Sequence, residues 1–183
     1  MERDNISTRR YTQVDIPKCL VAEILGEAMA MSADRAGFMF RTDFSGNREI
    51  IKNRNLYDSL KTRFRKNLIA LFHADMWPGS VHGTHSALMI VELDEKTAMV
   101  LAELAPNLAD WVPNGPHAAP EDLFVFDSRG GDPLFASCVH ENEAWMRRDL
   151  AEHFPSLALR GYQGRWAFDP ILYPDPYHCR RSR

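Results

Sequence analysis

The sequence predicts an α+β domain, with about three main helices packed on one small mixed or antiparallel sheet. Three observations predict it. Apolar residues recur at helical spacing in three stretches, and short apolar runs bounded by turn residues lie between them. The chain of 183 residues, 45% hydrophobic, is long enough to bury one core and short for two. Residues 1–183 therefore read as a single globular domain, closing on an extended, Pro-rich and basic tail at about 169–183.

The first helix is expected after Asp15, an N-cap residue type, with Pro17 in the first turn. Leu20, Val21, Ile24, Leu25, Ala28 and Met29 then form one apolar face, and Gly37 marks its latest end. Residues 38–44 read as a strand ended by Ser45-Gly46-Asn47. A second helix is expected over about 55–74, on the stripe Leu60, Phe64, Leu68, Leu71 and Phe72. Residues 86–93 read as a buried strand. Thr97 to Leu104 suits either a return strand or a short Ala-rich helix; the polar Asp94-Glu95-Lys96 connection favours the strand. Residues 105–120 are Pro-rich loop, and Leu123 to Phe126 is a short strand ended by the turn residues 127–132. A third helix is expected over about 142–154, with Trp145, Met146, Leu150 and Phe154 inward, and a last strand within 157–168.

The opening Met1-Glu2-Arg3-Asp4 is polar and no apolar run follows it, so no secretory leader is expected. No run approaches the roughly 20 apolar residues of a membrane-spanning helix. The three cysteines, Cys19, Cys138 and Cys179, are widely spaced and form no Cys-x-x-Cys pair. A reduced, cytoplasmic setting is the simplest expectation. Net charge is −3, but the charge is uneven. Residues 1–70 hold 13 Lys and Arg against 9 Asp and Glu, and residues 71–160 hold 5 against 14.

Three regions carry candidate chemistry. The first is basic: Lys61, Arg63, Arg65 and Lys66 sit on or beside the polar face of the expected second helix. Such a face suits an acidic protein or another polyanion, and it supports a non-catalytic binding or regulatory protein. The second is rich in donors: His73, Asp75, His82 and His85 fall within 13 residues. Imidazole and carboxylate suit zinc or non-haem iron, which would make the protein a metal-dependent enzyme. His73-x-Asp75 resembles the first two ligands of the iron and 2-oxoglutarate-dependent oxygenases, and that resemblance implies iron. The third is the pair Cys138 and His140, which a strand would place on one face as a thiolate and an imidazole.

The N-terminus carries a different resemblance. Ser7-Thr8-Arg9-Arg10-Tyr11, then Asp15-Ile16-Pro17 and the first helix, is similar to the opening of flavin-dependent nitroreductases. The resemblance implies a flavin cofactor, with Arg9 and Arg10 contacting its phosphate. Composition leaves the oligomeric state open.

Overall fold

The computed structural model describes residues 11–74, 86–112, 119–129 and 133–157. Eight strands form one sheet: β1 (Tyr11–Gln13), β2 (Arg35–Ser45), β3 (Arg48–Ile51), β4 (Leu68–Ala74), β5 (Ser86–Glu92), β6 (Glu121–Phe126), β7 (Pro133–Cys138) and β8 (Glu143–Arg147). The helices are α1 (Val21–Ala30), α2 (Arg54–Arg63), α3 (Glu95–Leu104) and the single turn α4 (Arg148–Ala151). The spatial order is β1-β8-β7-β6-β2-β5-β4, with β3 folded back on β2, and every pairing is antiparallel. The class is mixed α and β, as expected. The protein is strand-rich, however, and its sheet is not small.

Period-two alternation along the central strands explains the sheet. Phe38 and Phe40 of β2, Met89 and Val91 of β5, and Leu123 and Val125 of β6 share a core with Ile24 and Leu25 of α1, Leu60 of α2 and Leu101 of α3. The intervening residues Met39, Leu88, Ile90, Phe124 and Phe126 form a second buried cluster with Ala136, Cys138 and Trp145. With both faces buried, these strands read as continuous apolar runs rather than as half-polar ones.

Four expected elements differ. The helix expected at 55–74 ends at Arg63, and the chain turns before restarting as β4. Asn67 closes that turn: its N–H reaches the Phe64 carbonyl and its carbonyl accepts the N–H of Glu92 at 2.7 Å. Helical spacing ran on into a strand because no glycine or proline marks the break. The first half of the helix expected at 142–154 is instead β8, where Trp145 and Met146 point to opposite faces and pair with Ala136 and Phe135. Only Arg148–Ala151 is helical there. The segment favoured as a return strand at 97–104 is α3. The Asp94 carboxylate caps it by accepting the Thr97 N–H at 2.7 Å, and Ala, Met and Leu then propagate it. The first helix starts later than expected: Asp15 precedes a 3-10 turn at Ile16–Lys18, and α1 begins at Val21. Apart from its first residue, the strand expected within 157–168 lies outside the described residues, as does the tail from 169. No helix among the described residues is long and apolar enough to cross a membrane.

Gly37 sits opposite Phe124 in the β2–β6 ladder, and a Cβ there would overlap the Phe124 ring. Gly37→Ala is expected to lower stability by about 2–3 kcal/mol through overpacking. Urea denaturation would show it, and Phe124→Leu in the same chain should give a less than additive loss.

Asp94 yields a pH-dependent expectation. The Thr97 N–H holds its carboxyl below the ordinary value of 3.8. A depressed folded pKa contributes stability above the unfolded value, and that contribution fades as pH falls through the folded one. Asp94→Ala is expected to cost about 1 kcal/mol at neutral pH. Asp94→Asn keeps a cap and should flatten this part of the acid limb in denaturation measured from pH 5 downward.

Candidate metal centre

The site begins with a break in a ladder. β2 and β6 pair Phe38 with Leu123 and then Met39 with Glu121, so Asp122 is the extra residue of a β-bulge. Its φ of 48° lies in the left-handed region, sparsely used by residues with a Cβ. Bulges of this kind re-aim a side chain. Here the Asp122 Oδ1 leaves the β2 side and accepts the Val139 N–H at 2.7 Å.

β7 supplies the other half. The β6–β7 register pairs Phe124 with Ala136; continued, it sets Leu123 opposite Ser137 and Asp122 opposite Cys138. The buried Ser137 hydroxyl binds both backbone groups of Leu123, accepting its N–H at 2.8 Å and donating to its carbonyl at 3.1 Å. Beyond Cys138 the chain enters a 3-10 turn, Val139–Glu141, closed by Asn142 at φ 57°. That turn folds His140 back so that its Nδ1 and Nε2 lie 3.7 and 3.8 Å from the Cys138 Sγ. Two of the three left-handed non-glycine residues described, Asp122 and Asn142, thus flank one site. Such backbone strain concentrates at functional positions.

The result is a set of three donors: a carboxylate oxygen of Asp122, the thiol of Cys138 and an imidazole nitrogen of His140, all within 4.8 Å of one another. Asp122 and Cys138 are buried, at 0% and 1% exposure, while His140 is exposed. An interior set with one exposed member has a route to solvent.

Neighbouring charges shape the site. Burial first, and then Asp122, Glu141 and Glu143, push the Cys138 thiol well above its ordinary range. The thiol therefore stays protonated on its own, which disfavours the nucleophilic Cys138–His140 reading. Burial and the nearby Arg41 hold His140 below its ordinary value. Arg41 reaches from β2 to bind the buried Glu121 carboxylate through Nη2 at 2.8 Å. Burial outweighs that arginine and still raises the Glu121 carboxyl.

The residues singled out in the sequence stand elsewhere. His73 is an exposed residue of β4 paired with Ala87, three strands from β6 in the sheet and so about 14 Å away. Asp75, His82 and His85 lie outside the described residues, as do Arg9 and Arg10. Lys61, Arg63, Arg65 and Lys66 are exposed at the end of α2 and in the turn after it. Arg63 is engaged within the chain, its Nη2 binding Glu103 Oε2 at 2.7 Å. Asp122 was missed because only the hairpin register brings it to Cys138. Compared with models of protein families, with curated proteins and with solved structures, the chain matches none.

Ser137→Ala removes both hydrogen bonds to Leu123 while leaving the donors in place. Orphaning a buried N–H and a carbonyl is expected to cost about 2–4 kcal/mol. Urea denaturation would report that loss, and retained stability would mean that the backbone pairs elsewhere.

Proposed function

We propose that this protein is a zinc-dependent enzyme whose metal is held by Asp122, Cys138 and His140. The observation that supports the reading is the convergence of oxygen, sulfur and nitrogen donors at a strained bulge. Thiolate, imidazole and carboxylate together suit zinc better than the oxygen-loving cations, and a sulfur donor favours zinc over non-haem iron. Tetrahedral zinc with bonds near 2.3 Å to sulfur and 2.1 Å to nitrogen sets those two donors about 3.6 Å apart. The Cys138–His140 separation of 3.7 Å matches that spacing. With Asp122 and Cys138 both deprotonated, the donors carry the two negative charges that a divalent ion balances. The Val139 N–H on Asp122 fixes the carboxylate, as outer hydrogen bonds to metal ligands do.

Three protein ligands leave one position open, which is the pattern of catalytic rather than structural zinc. Zinc in such a site supplies an acidified water, the basis of metal-assisted hydrolysis. His140 is the exposed member of the three, so a substrate would approach a metal held there from its side.

Docking of an acidic partner on Lys61, Arg65 and Lys66 is a second reading. Their exposure beside α2 favours it, and the pairing of Arg63 with Glu103 removes one cation from the proposed face.

Cobalt titration tests the zinc reading, because a thiolate bound to cobalt gives a charge-transfer band in the near ultraviolet. The full chain, purified without chelators, is expected to bind one equivalent of zinc and to show that band with cobalt. Cys138→Ser should abolish the band. Asp122→Asn and His140→Ala should weaken zinc by more than the roughly 10- to 100-fold typical of outer-shell changes. His73→Ala should bind like the parent. A chain that takes up neither metal, or one whose affinity survives all three ligand changes, overturns the reading.

A further inference from the structure

The bulge at Asp122 has a cause in the residue before it. Up to Phe38 and Leu123, β2 and β6 keep one register. Carried on without a bulge, that register would set Met39 opposite Asp122 and Phe40 opposite Glu121. Residues directly opposite in a ladder share a face of the sheet. Phe40 is 2% exposed and lies in the apolar cluster that it shares with Phe38 and with α1, α2 and α3. On that face the Glu121 carboxylate would be buried against the Phe40 ring and its apolar neighbours. A charge buried without a partner is strongly unfavourable.

The observed register avoids that burial. One extra residue in β6 moves Glu121 opposite Met39, on the other face of the sheet. Arg41 lies two residues along β2 from Met39 and so shares its face. Glu121 and Arg41 are then diagonal neighbours, close enough for two long side chains to meet. Nη2 of Arg41 donates to Oε2 of Glu121 at 2.8 Å, and the Glu121 side chain is only 4% exposed. The backbone of Arg41 is itself fixed on both edges. It pairs with Ser86 of β5, and its carbonyl accepts the Lys52 N–H at 2.8 Å. The displacement leaves Asp122 as the extra residue at φ 48°, from which its Oδ1 reaches the Val139 N–H.

We propose that the Arg41–Glu121 pair is a latch that holds β6 in the displaced register and so aims Asp122 at Cys138 and His140. The core face refuses Glu121, and Arg41 receives it on the other. Both are positioning residues, and neither belongs to the donor set. Replacing a buried ion pair by apolar groups is often neutral or stabilising. Such a pair is suited to choosing between registers rather than to adding stability. Its consequence for metal binding rests on the zinc reading, whereas the aim of Asp122 is a property of the chain itself.

Glu121→Val removes the reason for the bulge, because valine suits a strand and an apolar face. The Val139 amide reports where Asp122 points, and hydrogen exchange followed by NMR on the metal-free chain measures its protection. Glu121→Val should stay folded, with a urea midpoint no lower than the parent's. Its Val139 amide should exchange about tenfold faster or more. Its cobalt affinity should fall by about 10- to 100-fold, the range of changes outside the ligand shell. Glu121→Gln is still too polar for the Phe40 face and still accepts from Arg41, so it should match the parent in both measurements. A merely structural role would instead lower stability and metal affinity together. Full Val139 protection in Glu121→Val, failure of that variant to fold, or lost protection in Glu121→Gln each overturns the latch. Faster Val139 exchange with unchanged cobalt affinity overturns its link to the metal. If the parent takes up no cobalt, the zinc reading falls, and the Val139 amide still decides the latch.

Discussion

β2 gives up its backbone hydrogen bonds on both edges, to β5 from Arg35 to Arg41 and to β6 from Arg35 to Met39. A strand held on both sides must alternate cleanly, because a one-residue slip exchanges the two faces. Both faces here are apolar, so alternation alone leaves the register poorly defined. Gly37 helps to define it. It is the one position on β2 where the Phe124 ring can lie against the strand, and that fit fixes which residue of β6 stands opposite.

The bulge at Asp122 follows from the same pairing. Before it, β2 and β6 keep one register; after it, β6 is displaced by a residue and Glu121 faces Met39. The displaced Asp122 leaves the sheet pattern, and Glu121 is brought to Arg41. Ser137 then takes over the hydrogen bonding of Leu123, so the interruption leaves no backbone group of that residue unpaired. A carboxylate thus sits in an otherwise apolar interior with its partners already in place. Burying it without them would cost several kcal/mol.

The strands bounded by turn residues were legible in the sequence. Phe38 to Phe44, Ser86 to Leu93 and Leu123 to Phe126 all lie within or almost within observed strands. Helices were less so. The stripe from Leu60 to Phe72 fits helical spacing throughout, yet its second half lies in a strand at one end of the sheet order. Trp145 and Met146 suit a helix core equally well, and only the ladder to β7 makes them strand. Tertiary pairing overrode local pattern in both places. Two of the three donors, Cys138 and His140, were paired in the sequence by lying two apart, but as a thiolate and an imidazole for nucleophilic chemistry, while the metal ligands were expected at 73–85. Asp122 was not legible, because its role depends on a hairpin and a bulge that leave no mark on composition.

All three donors come from one hairpin and the turn that follows it, with Val139 only 17 residues from Asp122. The loop closed in bringing them together is short, so its entropy is small beside that of the pairings across β2. Hairpins form in roughly 1–10 μs, well before sheets of high contact order are complete. The donors are local in sequence although the bulge that aims Asp122 is set by β2, so an ion held there would act as a clasp that ties the hairpin to the register of the central strand.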